Sequence, residues 1–181
     1  MSGQPLPSFV AVHEAGHAVA AWACGFVDPG EITVIPFPGL YDGACASGRP
    51  PVSHFNADWP YWTPLSQAPD AARRWVECQV TMLLAGEVAT KMFHGADPVT
   101  RLDGPDTDNA QVEVLLEAVH LGDLELAAAH RQLLALDTQR ILHTHRRRVL
   151  DLARELDTQG TLPAERWWRL LDESADLKAM A

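Results

Sequence analysis

The chain is poor in cysteine and in basic side chains. Its three cysteines, Cys24, Cys45 and Cys78, are widely spaced and form no Cys-x-x-Cys pair, which argues against a disulfide framework and a thiolate zinc site. This cysteine usage fits a reducing, cytoplasmic location. With 14 basic against 24 acidic side chains, the formal net charge is −10, so nucleic acid is not an expected partner.

Long apolar runs are also missing. The longest uncharged apolar stretch covers residues 18–27, well short of the roughly 18 residues that a membrane-spanning helix needs. Residues 1–9 lack the basic and apolar regions of a secretory signal. No fixed-period repeat or interdomain linker is visible. The 181 residues, 47% of them hydrophobic, are therefore predicted to form one domain, 1–181, with no membrane segment.

The apolar side chains that remain follow mainly helical spacing. Residues 9–24 contain no proline and precede Gly25, a favoured residue just after a helix. Their many small side chains predict a closely packed neighbour. Apolar positions at three- and four-residue intervals predict a second helix over residues 71–93. Three more helices are expected: one after the polar segment 101–108 and through Val119, one over 124–156 with a break, and one over 163–171.

One segment is convincing as a strand. Residues 31–35 read Glu-Ile-Thr-Val-Ile, follow an Asp-Pro-Gly turn and precede Pro36, which predicts a short strand at a sheet edge. Our hypothesis is that this edge pairs with an extended substrate peptide, although a purely structural strand is the alternative. The candidate substrate-binding residues are Ile32, Thr33, Val34 and Ile35.

Two other segments are expected to have structural roles. Residues 36–69 are rich in glycine, proline and aromatics, so a long irregular excursion is predicted, with a hairpin within it left open. Trp59, Tyr61 and Trp62 are expected to pack on the core rather than to form a lid. The basic run 143–148 is expected to be a solvated, salt-bridged helix face. Cys45 is interpreted as a free buried cysteine rather than an inhibitory thiolate.

Chemistry is concentrated in His13-Glu14-Ala15-Gly16-His17, which matches the pattern His-Glu-x-x-His (HExxH). Because a helix has about 3.6 residues per turn, both imidazoles share a face and can reach one zinc ion at about 2.0–2.1 Å. Glu14 can then act as general base, taking a proton from a zinc-bound water and returning it to the leaving amine. The pattern predicts a zinc-dependent metalloprotease, a hydrolase. Two histidines on a solvated helix face are the alternative.

A catalytic zinc ion needs a third protein ligand, which the motif does not supply. The continuation to a third histidine fails, because positions 20 and 23 are alanine. Among residues elsewhere in the chain, Glu77, Glu87 and Glu113 are candidates, although each also reads as an ordinary helix-face glutamate.

The motif and its surroundings resemble the peptidase domain of FtsH-type zinc metallopeptidases. That family has His-Glu-Ala-Gly-His-Ala, then an Asp-Pro turn and a Val-Thr-Ile-Ile-Pro strand, to which residues 13–18 and 28–36 are similar. Its next helix carries Leu-x-Gly-Arg-x-Ala-Glu-Glu and ends in Phe-Gly, which residues 84–95 resemble. The resemblance implies a mainly α, helical fold with a small β-sheet beside the HExxH helix. It covers residues 9–171 and is weakest over 39–70.

The resemblance also points to the third ligand. In the family, an aspartate in a Gly-Ala-Ser-Asn-Asp type segment at the start of a helix binds the zinc. Residues 104–108, Gly-Pro-Asp-Thr-Asp, occupy that place here. The resemblance therefore implies Asp108 as the ligand, with Asp103 and Asp106 as near rivals, since any of the three could cap the helix instead.

Two departures from the family shape the expected function. The family's glutamate pair is replaced by Thr90 and Lys91, and the chain has no phosphate-binding loop of an ATPase. The prediction is a soluble zinc endopeptidase, ATP-independent in itself, that cuts unfolded or flexible polypeptides. A separate unfoldase partner or a homo-oligomer is left open. The rival prediction is a non-catalytic zinc- or peptide-binding module, a degenerate peptidase fold with an adaptor role.

Overall fold

The computed structural model describes residues 5–36, 43–48, 65–68, 70–95 and 108–179, with side chains up to residue 173. Over these residues the chain is mainly helical, with a small antiparallel sheet, as the sequence predicts. The helices are α1 (Phe9–Ala23), α2 (Asp70–His94), α3 (Asp108–Val119), α4 (Leu124–Thr144), α5 (Arg146–Gln159) and α6 (Ala164–Ala179). The strands are β1 (Ile32–Thr33), β2 (Ala44–Cys45) and β3 (Thr161–Leu162).

Helix α1 begins and ends where its sequence predicts. The hydroxyl of Ser8 accepts a hydrogen bond from the backbone N–H of Ala11 at 3.2 Å, which caps the first turn. Ser8 also donates its N–H and its hydroxyl to the carboxylate of Asp157 on α5, at 2.7 and 2.5 Å. The chain leaves the helix through Gly25, whose φ of 75° is readily adopted only by glycine. Capping and a tertiary contact thus hold the start of α1.

The small side chains of α1 allow close packing against α2. A methyl group at Gly16 would lie 2.5 Å from the carbonyl oxygen of Ala85 and 2.7 Å from the β-carbon of Ala89. Both of these residues are fully buried. The close neighbour predicted for α1 is therefore α2.

Two groups of buried apolar side chains form the core. The first surrounds α1 and includes side chains of α5, α6 and the sheet, with Trp167 fully buried and donating its indole N–H to the carbonyl of Gly30 at 2.8 Å. The second lies between α2, α3 and α4. Since α1 packs against α2 and α5, the motif helix lies where these two groups meet. Its largely buried residues include Val12, Ala15 and Val19.

Strand β1 is the central strand of the sheet, so the predicted edge is wrong. The strand order is β2-β1-β3, and Ile32 lies opposite Cys45 on one side and Leu162 on the other. Val34 continues the pairing, donating its N–H to the carbonyl of Gly160 at 2.8 Å. Substrate therefore cannot pair with β1 at Ile32 and Thr33. Thr33 pairs with Thr161, which is 128 residues away in sequence. The local sequence around β1 therefore does not show that this strand is central.

The remaining helix predictions agree with the structure to within a few residues, except at the C-terminus. The break predicted within residues 124–156 occurs at His145, between α4 and α5, and α6 continues eight residues past the predicted end at 171. In the described part of the chain, no helix is both long and apolar enough to cross a membrane. Trp59, Tyr61 and Trp62 lie outside the described residues.

The basic run 143–148 is only partly the solvated face that its composition predicts. Arg147 is largely exposed and pairs with Asp151 at 3.4 Å. Arg148 instead donates to the carbonyl of Leu171 at 2.9 Å, and its guanidinium lies 4.8 Å from the ring centre of Trp22. This arginine joins α5 to α1 and α6.

Candidate metal centre

Three side chains from two distant parts of the chain converge beside α1. The Nε2 atoms of His13 and His17 are 3.0 Å apart. The Oδ2 atom of Asp108, at the start of α3, lies 3.3 Å from His13 Nε2 and 3.0 Å from His17 Nε2. The three side chains form a group that could hold a metal ion. The structure thus brings together the three ligands that the sequence and the family resemblance indicate.

The separations suit one tetrahedral ion. Ligand atoms at about 2.0–2.1 Å from a zinc ion lie about 3.3 Å from one another when the angles are tetrahedral. The observed separations of 3.0–3.3 Å are close to this value. In addition, His17 Nδ1 lies 2.7 Å from the carbonyl oxygen of Met82. Because a carbonyl oxygen can only accept a hydrogen bond, Nδ1 must be the donor. That contact places the proton on Nδ1 and leaves the Nε2 lone pair for a metal, as in many metal-binding histidines.

Gly86 on α2 makes room for the two imidazoles. A β-carbon at this position would lie 2.5 Å from His17 Nε2 and 2.6 Å from His13 Nε2. Any larger residue would displace the rings from their common point. The sequence gives one indication of this role, because glycine inside a helix costs about 1 kcal/mol relative to alanine. The sequence does not show which residues the glycine faces.

The three candidate ligands also interact electrostatically. Burial acts to lower the pKa of His17, but the carboxylates of Asp108 and Glu14 and the contact with Met82 together outweigh it and raise that pKa to about 9. Burial acts on Asp108 in the opposite sense, yet the neighbouring imidazoles hold its pKa well below the usual value. Without a metal, His17 and Asp108 therefore form an ion pair, in which a bound cation would replace the proton.

Glu14 is buried beside the three ligands, with 5% of its surface exposed. Burial raises its pKa, although the adjacent imidazoles of His17 and His13 work against that rise. A β-carbon on Gly43 would lie 2.8 Å from Glu14 Oε1, so the segment that leads into β2 passes close to this carboxylate. Glu14 is thus a buried carboxyl group next to the candidate metal position, where the motif places it.

The other candidate residues are not part of this group. Among the described residues, only His13, His17 and Asp108 form such a cluster of potential ligands, so Glu77, Glu87 and Glu113 are not brought to it. Asp103 and Asp106 lie outside the described residues. Cys45 is free, and burial, reinforced by the charge of Glu14, raises the pKa of its thiol. That agrees with the interpretation of Cys45 as a thiol rather than a thiolate.

Comparison with known proteins adds no family assignment. The chain matches no protein-family model, and no curated protein matches it at a significant level. The resemblance to FtsH-type peptidases therefore rests on the motifs quoted above, and the candidate metal centre rests on its own geometry.

Proposed function

We propose that the protein is a zinc-dependent endopeptidase similar to the peptidase domain of FtsH-type enzymes. The observation that carries this proposal is the convergence of His13, His17 and Asp108 within 3.3 Å of one another, with the buried carboxylate of Glu14 beside them. Two imidazoles and one carboxylate form a donor set that suits zinc and leaves a fourth position open. A closed structural site would use four protein ligands instead.

The chemistry is divided between the ion and the protein. A zinc ion in such a site lowers the pKa of a coordinated water to about 7 and polarises a substrate carbonyl. Glu14 takes up the proton released when the peptide carbonyl is attacked, and returns it to the leaving amine. Its burial suits this exchange, since it raises the pKa of the carboxyl group. His13, His17 and Asp108 keep the reacting groups in a fixed position relative to Glu14.

The free side of β2 is the proposed place for an extended substrate. Ala46 directs both of its backbone groups toward β1: its N–H donates to Glu31 at 3.0 Å, and its carbonyl accepts from Gly30 at 2.6 Å. Because successive residues of a strand direct these groups to opposite sides, Cys45 directs its own away from β1. Its carbonyl there accepts from the N–H of Ser47 at 2.9 Å, so its N–H is the group proposed to pair with substrate. Over the described residues the sheet ends at β2 on this side, which leaves room for strand addition next to Glu14.

The substrate class follows from this mode of binding. Pairing with a strand edge needs several residues of extended polypeptide, which folded proteins rarely expose. The proposed substrates are therefore unfolded or flexible chains, and a folded substrate would need a separate unfoldase. The family resemblance supports the same substrate class.

The decisive experiment compares the parent protein with Glu14→Gln. Metal content is measured by elemental analysis after purification without chelator, and cleavage is followed on an unfolded, fluorescently labelled protein. We expect about one zinc per chain in both proteins, and a loss of cleavage of at least about 10²-fold in the variant. Zinc binding without cleavage by the parent protein would refute the peptidase and favour the binding module.

A further inference from the structure

Glu87 lies next to Gly86 on α2, and its carboxylate contacts α3 and α4 instead of joining the cluster of candidate ligands. Its Oε2 atom accepts a hydrogen bond from Asn109 Nδ2 at 2.9 Å. Asn109 directly follows Asp108, so this contact joins α2 to the chain at the carboxylate ligand. Glu87 also pairs with Lys91 one turn along α2.

Arg131 on α4 completes the arrangement. Its Nη2 atom donates to Asn109 Oδ1 at 2.8 Å and lies 3.9 Å from Glu87 Oε2. The amide of Asn109 therefore lies between an anion and a cation, with its NH₂ toward the carboxylate and its oxygen toward the guanidinium. The reversed amide would place like groups together at both ends, so only one orientation satisfies both contacts. Asn109 is held from two sides.

Charge balance favours this arrangement. Burial acts to raise the pKa of Glu87, but hydrogen bonds from Lys91 and Asn109 outweigh it and lower the pKa. Glu87 is therefore ionised at neutral pH. Its negative charge is balanced by the nearby positive charges of Lys91 and Arg131.

The network differs from what the family resemblance implies. The family has arginine at the position of Glu87 and a glutamate pair at the positions of Thr90 and Lys91. Here Thr90 donates its hydroxyl to the carbonyl of Gly86 in its own helix, at 2.9 Å. The side chains around Gly86 thus differ from the pattern of the family.

We propose that Glu87 is a positioning residue that, through Asn109 and with Arg131, fixes the carboxylate of Asp108 for metal binding. Helix α2 then orients two ligands through different residues: His17 through the carbonyl of Met82, and Asp108 through Glu87 and Asn109. Groups that orient metal ligands commonly change metal affinity by about 10–100-fold when they are removed. The inference rests on the metal binding within the proposed function, but not on peptide hydrolysis.

The test measures metal affinity in the full chain. Zinc and cobalt(II) are titrated in competition with a chelating dye, and the visible absorption bands of the cobalt form report its coordination geometry. We expect Asn109→Ala and Glu87→Ala to weaken binding by about 10–100-fold and to change the cobalt bands. Glu87→Gln keeps an acceptor for Asn109 and loses only the charge, so a smaller effect is expected.

His120→Ala is the matched control. His120 lies near the opposite end of α3, with its Nε2 atom 3.0 Å from His130 Nδ1 on α4, so the variant cuts a different contact of the same two helices. Metal affinity should stay within about twofold of the parent value, since no ligand is adjacent. Thermal melts of all metal-free variants report how much stability each one loses.

The outcomes separate this inference from the proposed function. If Asn109→Ala binds zinc as tightly as the parent, or loses affinity only as much as His120→Ala at equal loss of stability, the positioning role is refuted while the metal centre stands. If the parent binds no metal, or if Asp108→Asn binds as well as the parent, the metal centre itself is refuted and the positioning role with it.

Discussion

The spacing of the two imidazoles depends on a single residue of α2. At Gly86 the helix has no side chain, and a β-carbon there would come within 2.6 Å of both His13 and His17. Glycine inside a helix costs about 1 kcal/mol relative to alanine. The lack of space for a β-carbon beside the two imidazoles explains why glycine stands here. At this scale the structure gives a helical glycine a role that its sequence position only suggests.

Gly86→Ala should therefore separate metal binding from stability. The added methyl should displace both rings and weaken zinc binding by at least about tenfold, while the gain in helix propensity offsets part of the strain. Dye competition and thermal melts of the metal-free protein measure the two effects. Gly95→Ala is the control for lost stability: its φ of 82° makes alanine strained, but its methyl would meet nothing within 4 Å, so zinc affinity should stay unchanged. Equal zinc affinity in the parent and Gly86→Ala would contradict the assigned role.

At the scale of elements, the sheet decides where a substrate can bind. β1 carries the residues that resemble the family strand, but both of its sides are paired. β2 comes from a segment read mainly as irregular, and among the described strands it lies at the end of the sheet, next to Glu14. An edge strand is defined by what lies beside it, which a local pattern cannot show.

Cys45→Pro tests the proposed substrate edge. Proline removes the backbone N–H that is directed away from β1 and is tolerated in edge strands where that group is not paired. We expect cleavage of an unfolded substrate to fall by about tenfold or more, mainly through KM, with zinc content unchanged. Cys45→Ala removes the thiol alone and should cleave like the parent. Full activity of Cys45→Pro would exclude strand addition at β2.

At the scale of the whole molecule, the candidate metal centre connects the start of the chain to α3. His13 and His17 are 95 and 91 residues from Asp108, and the helices that carry them belong to different parts of the core. A metal ion bound only by the folded state stabilises the whole fold by mass action. Without a metal ion, the ion pair between His17 and Asp108 provides part of this stabilisation.

The metal-free protein should therefore lose stability in alkaline solution. Because the folded state raises the pKa of His17 from 6.5 to about 9, its contribution is fully present below pH 6.5 and is lost as the pH rises through 9. The loss should be on the order of 2 kcal/mol, allowing for partial solvent screening of Asp108. Denaturant unfolding in the presence of a chelator, at pH values below 6.5 and above 9, measures this loss in the free energy of unfolding. Asp108→Asn should show a smaller dependence, and an equal one would contradict the ion pair.

Much of the fold could be predicted because its signals are local. The cap at Ser8, Gly25 after the helix and the spacing of apolar side chains in residues 71–93 each act within a few residues. The same holds for His13 and His17, which share a helix face whatever surrounds them. Asp108 could be reached only through the family resemblance, since nothing near it in sequence distinguishes it from Asp103 or Asp106.

The sequence by itself determined most of the helices and the placing of His13, Glu14 and His17 close together, because helical spacing does this without help from the rest of the chain. The tertiary structure showed that Asp108 lies beside the two histidines, what Gly86 faces, which described strand lies at the end of the sheet and how Asn109 is held. These depend on contacts between segments tens of residues apart, and such contacts arise only when the core packs.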